Sequence, residues 1–174
     1  MTIYYGDGSD SGAGRIIQVV QGTKTDTSAY QLNSSGTSMT WSSDILTVSI
    51  TPKDSSSKIW LTASIVATSS PTDRFALKFY KGGSDISGSY ADSNGSHRQR
   101  VHSQGDGNEY RGQATPMSFI DTAGGTSAIT YSVRGAQGTG GNNWLQINRQ
   151  YNGFSDEANR FCSISTITAM EISA

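Results

Sequence analysis

Two histidines, one cysteine and a scatter of loop acids are the residues of this 174-residue chain that could carry proton transfer, metal binding or nucleophilic attack. His97 and His102 stand five positions apart, so in an extended chain they project to opposite faces and do not form a metal-binding pair. They read as surface histidines. Cys162 has no histidine placed to activate it and reads as a buried, inert thiol. Serine is abundant, but there is no GxSxG elbow, and two histidines in a loop offer little from which to build a triad. The Gly-Asp clusters at Asp7 to Asp10 and Asp106 to Glu109 lack the alternating oxygen ligands and closing glutamate of a calcium loop. GTGG at Gly138 to Gly141 lacks the lysine of a phosphate loop and reads as a hairpin tip. Asp106, Glu109, Asp156 and Glu157 are the acids from which a glycoside-hydrolysing pair would have to come, and all lie in loops. The sequence nominates no catalytic residue, no metal site and no cofactor, and a non-enzyme is expected.

Binding chemistry is better represented. Tyr90, His97, Arg98, Arg100, Tyr110 and Arg111 gather in the polar region 82 to 113, and Trp144 stands beside a later loop. Aromatic faces and guanidinium forks hold sugar rings and their acidic substituents, so these seven are candidate contacts to a host glycan. The competing reading packs them under long loops or against a neighbouring subunit. Ile3, Tyr4 and Tyr5 are apolar residues in an otherwise glycine- and serine-rich leader, residues 1 to 14, and are candidate anchors for attachment.

Composition limits the partners. A net charge of -1 gives no overall attraction to nucleic acid or to an anionic membrane. No run approaches the roughly 20 apolar residues of a membrane span, and the N-terminus does not read as a signal peptide. A single cysteine excludes an intrachain disulfide and fits synthesis in a reducing cytoplasm.

The elements that must position these residues are strands. Hydrophobic residues make up 34% and charged residues 16%, with serine, threonine and glycine in their place, a balance that favours strands and turns over helices. Ile16, Ile17, Val19 and Val20 give a short run that could be a doubly buried strand or an interface strand, and Gly22 to Ser38 reads as a loop with weak strand character. Period-two alternation places Leu46, Val48 and Ile50 inward, then Ile59, Leu61, Ala63, Ile65 and Ala67, then Phe75, Leu77 and Phe79 with Lys78 and Tyr80 outward. Gly82 and Gly83 supply a tight turn to Asp85 and Ile86. His97 to Val101 is the one strand expected within 87 to 113. Further strands are expected at Thr115 to Asp121, Ser127 to Arg134, Asn143 to Arg149 and Ser163 to Ile172, the last with a phase slip between Ile164 and Ile167 that reads as a bulge. Eight to ten short strands predict an all-β fold: an antiparallel β-sandwich or jelly roll with an extended N-terminal arm. Residues 1–30 form the attachment arm and first strand, and 31–174 the sandwich domain.

Four segments carry a family resemblance: GRIIQVVQGTKTDT (Gly14 to Thr27), LTVSITPKDSSSKIWLTASI (Leu46 to Ile65), SFIDTAGGTSAITYSVRG (Ser118 to Gly135) and STITAMEISA (Ser165 to Ala174). They resemble small structural proteins of marine bacteriophages, cyanophage-like, of the tail-fibre, head-fibre and decoration type. The resemblance implies a virion location after assembly in the host cytoplasm, with capsid or tail proteins as partners. A fold-level likeness to trimeric jelly rolls of the complement and tumour-necrosis-factor type adds a homotrimer, closed through one sheet edge and the C-terminal strand. The alternative is the receptor-binding module of a tail fibre, directed at a surface glycan.

Overall fold

The computed structural model describes residues 14–32, 38–71, 73–92, 100–108, 110–138, 144–151 and 161–174. These form an all-β, antiparallel sandwich with no helix among the described residues. One sheet contains β1 (Ile16–Lys24), β2 (Ser28–Gln31), β4 (Lys58–Thr68), β8 (Gln113–Thr122), β10 (Trp144–Ile147) and β11 (Ser165–Ile172). The other contains β3 (Leu46–Ile50), β5 (Arg74–Lys81), β6 (Ser84–Asp85), β7 (Ser103–Asp106) and β9 (Ile129–Gln137).

β4 organises the first sheet. β8 pairs along one side of it, while the other side is shared end to end by β11, opposite Lys58 to Ser64, and β10, opposite Ala67 and Thr68. β1 continues the sheet beyond β11, and β2 continues it beyond β10. In the second sheet β9 lies between β3 and β5, and the far side of β5 is divided between β7 and β6.

Alternation along each strand sends one set of side chains into a single core. Ile59, Leu61, Ile65, Ile167, Leu145 and Ile147 come from the first sheet and Ile50, Phe75, Leu77, Phe79, Tyr131 and Val133 from the second, all almost fully buried. Each such side chain contributes roughly 1.5–3 kcal/mol by leaving water. The sandwich is closed along one side, where β1 meets β3: a Cβ built on Gly22 would collide with the Thr47 carbonyl oxygen. The β5–β6 turn uses Gly82 and Gly83 at φ 56° and 84°, the pair of positive angles that a two-residue hairpin requires.

Several local expectations are corrected. A strand forms at Ser103–Asp106; of the one expected at His97 to Val101, Arg100 and Val101 are not strand, and 97–99 lie outside the described residues. β11 runs without a slip, because Ile164 precedes the strand; the register shift is in β1, between Ile16 and Gln18. An extra residue there turns both Ile16 and Ile17 to solvent. Strand β1 also extends through Gly22 to Lys24, and β2 follows, where a loop with weak strand character was expected. Cys162 is exposed rather than buried, since it lies in the irregular segment before β11. His102 is half-buried rather than on the surface: its ring packs edge-on against Phe79 at 5.0 Å, Nδ1 donates to the Ser89 carbonyl and Nε2 accepts from the Ser118 amide.

Candidate functional site

Three surfaces gather side chains capable of recognition. The first lies on the outer face of the second sheet, where β5 projects Lys78 and Tyr80 and β9 projects Ser132 and Arg134. Lys78 Nζ sits 4.7 Å from the Trp41 ring centre and 4.4 Å from that of Tyr90, and it reaches Asp85 Oδ2 at 3.0 Å. Arg100 lies 5.2 Å from the same Tyr90 ring. Alongside, the Arg134 guanidinium covers the Tyr80 ring at 4.3 Å and its Nε donates to Asp44 Oδ1 at 2.6 Å, which also accepts from Ser132 Oγ at 2.8 Å. Burial alone would raise the Asp44 carboxyl, but these hydrogen bonds and the Arg134 charge outweigh it and hold the group below the usual carboxylate range. Burial, helped by the Asp85 charge and hydrogen bond, pushes the Tyr80 hydroxyl up.

This cluster is a roof over the sheet rather than an open receptor. Lys78 is only 8% exposed, and its charge is already met by two ring faces and a carboxylate. A ligand would have to displace those partners. The outward direction expected for Lys78 and Tyr80 is correct, but loop residues cover them.

The second surface is a groove of about 480 Å³ lined by Tyr110, Arg111, Gly112, Arg149, Gln150, Phe161 and Ser163. Its loop is pinned by Thr68, whose hydroxyl donates to the Asn108 carbonyl at 2.9 Å and accepts from the Asn108 amide at 3.0 Å. Asn108 Oδ1 then accepts from the Tyr110 amide at 2.9 Å. Tyr110 and Phe161 are 60% and 68% exposed. The exposed Tyr110 and Phe161 rings beside the exposed Arg111 suit a sugar ring with an acidic substituent, whereas Nε and Nη2 of Arg149 are buried.

The sequence-nominated contacts therefore fall in separate places. Tyr90 and Arg100 meet on the outer face of the second sheet, Tyr110 and Arg111 share the groove on the first, and Trp144 stands on β10 opposite Gln31. His97 and Arg98, like Ile3, Tyr4 and Tyr5, lie outside the described residues. Sequence reading missed Trp41, Lys78, Arg149 and Phe161. No periodic signal marks Phe161 as a groove residue, and Trp41 meets Lys78 only through the fold.

The third surface is the outer face of the first sheet between β1 and β8. The register aligns Val19, Met170, Trp60 and Ile120 as direct cross-strand neighbours, one per strand, in a continuous apolar row. Val19 is 58% exposed, Ile120 55% and Trp60 36%. Beside it runs Gln21, Thr168, Thr62 and Ser118, with Gln21 Nε2 donating to Thr168 Oγ1 at 3.1 Å and Trp60 Nε1 to Ser118 Oγ at 3.0 Å. The next row is Thr23, Thr166, Ser64 and Pro116. Lys58 supplies the one formal charge on these four strands' outward positions, and its Nζ donates to Thr122 Oγ1 at 2.8 Å.

No cluster of histidine, cysteine and acidic residues able to hold a metal occurs among the described residues. No protein-family model matches the chain, and no curated protein matches it.

Proposed function

We propose that this chain is a non-catalytic structural component of a bacteriophage particle: a small fibre or decoration module with a jelly-roll-like sandwich, self-associating, and anchored to capsid or tail by its N-terminal arm through Ile3, Tyr4 and Tyr5. One observation carries the reading. The four segments that resemble phage structural proteins supply β1, most of β4, β11 and the second half of β8, the strands of an outer face that carries one charge, Lys58, beside its apolar row, and they also supply β3 and most of β9. A contiguous exposed apolar row rimmed by polar residues suits association with a partner surface. Immunogold labelling of particles, with an antibody raised against the sandwich, tests the proposal: label on capsid or tail supports it, and unlabelled particles with label confined to the infected cell contradict it.

A second reading, a receptor-binding module for a host glycan, is favoured by the groove with the exposed Tyr110, Phe161 and Arg111. Titration with an oligosaccharide carrying uronic or sialic acid tests it.

A further inference from the structure

We infer that the outer face of β1, β11, β4 and β8 is where a second copy of this chain packs, with the row Val19, Met170, Trp60 and Ile120 at the centre of the contact. The inference rests on reading that face as an association surface and names its partner. The long edges of the sheet are poorly placed for the task. Beyond β1 the chain closes onto β3 at Gly22, and the outward amide of Ser118 on β8 is taken by His102 Nε2. Such covering blunts edge-to-edge pairing. The flat face between those edges remains open.

Charge points to a like copy as the occupant. A symmetric contact lays the face on a copy of itself, so a face carrying charge of one sign repels itself, whereas a foreign partner is commonly selected by charges of opposite sign. Here three of the four rows are free of charge, and Lys58 sits at the margin, its ammonium held by Thr122. The polar rows of threonine, serine and glutamine both donate and accept, so they can meet copies of themselves. Size agrees: four strands about 4.8 Å apart and eight residues long span roughly 500 Å² on each copy. Two copies then bury about 1,000 Å², where specific interfaces begin. The chain should therefore associate at micromolar rather than picomolar concentration.

Sedimentation equilibrium of the full chain, wild type against Trp60→Glu and Met170→Glu, tests this. The wild type is expected to assemble at micromolar concentration, and each variant to weaken assembly at least about tenfold, the cost of burying an unpaired carboxylate. The circular dichroism spectrum should be unchanged. Thr130→Glu, on the outer face of the other sheet, should assemble as the wild type does. If either central variant loses its β-spectrum, Val19→Glu and Ile120→Glu at the ends of the row carry the test. A monomeric wild type, or variants that assemble normally, would overturn the inference. A monomeric wild type that still appears in particles, and is lost from them in Trp60→Glu, would show that the face docks another virion protein. Assembly through the face by a chain absent from particles would instead leave this inference standing and remove the virion proposal.

Discussion

Ser165 Oγ donates a 2.6 Å hydrogen bond to Asn148 Oδ1, tying the start of β11 to the end of β10 deep in the sandwich. The other end of the same amide donates to the carbonyls of Lys24 and Asp26 at 2.8 and 3.0 Å, and Ser165 Oγ in turn accepts from the Val66 amide at 2.9 Å. One fully buried residue thus joins β1, β4, β10 and β11, and does so from φ 61°, a left-handed conformation that asparagine tolerates better than most residues.

Replacing Asn148 separates these contributions. Asn148→Gly keeps the backbone angle but strands the buried groups and should cost about 2 kcal/mol, whereas Asn148→Ala adds the left-handed penalty and should cost about 1 kcal/mol more. Urea midpoints should fall in the order wild type, glycine, alanine. Equal midpoints for the two variants would show that the backbone angle carries no strain.

Gly22→Ala should be among the most damaging single-methyl changes, by about 3 kcal/mol, because its Cβ meets the Thr47 carbonyl, part of a paired strand that cannot step aside. At Gly125 nothing lies within reach of an added Cβ, so Gly125→Ala serves as the neutral control in the same thermal melts.

The pH dependence of stability follows from three groups. The Asp44 carboxyl is lowered on folding, so its stabilisation is present above the unfolded value of about 3.9 and is lost as pH falls through the lower folded value. Asp44→Asn should therefore flatten the acid limb of the stability curve. Tyr131 is raised, first by burial and then by the 2.7 Å hydrogen bond from its hydroxyl to Asp121 Oδ2, and Tyr80 is raised as well. Raised groups stabilise fully below their unfolded value, about 10, and lose that contribution as pH climbs toward the folded one. Tyr131→Phe should lose about 1 kcal/mol near neutrality and show a flatter alkaline limb. Chemical denaturation across the pH range reads both.

Much of this architecture was legible because β3, β4, β5 and β9 each alternate cleanly, so Leu46, Ile59, Phe75 and Tyr131 declare their inward face within a few residues. β7, with the sequence SQGD, has no apolar residue to reveal it and exists because β5 offers an edge. The surfaces were harder to see. Trp60 and Ile120 each stand among mostly polar outward neighbours, Val19 and Met170 each have one further outward isoleucine two positions along, and only cross-strand register aligns the four. Lys78 looked like an ordinary outward lysine until Trp41 and Tyr90, from distant loops, closed over it. The groove needed Tyr110 and Phe161, fifty-one positions apart, to meet.

If the groove holds an acidic glycan, Tyr110→Ala and Arg111→Ala should each weaken binding about tenfold without altering the thermal midpoint, because both side chains are exposed. Isothermal titration with an oligouronate supplies the affinity. Unchanged affinity in both variants would remove the groove from the account.

Quantitative mass spectrometry of purified phage particles tests the central claim, that the chain is a virion component, most directly. The account predicts the chain in every preparation, at a fixed copy number per particle. Its absence from infectious particles, while it remains abundant in the infected cell, would contradict that claim.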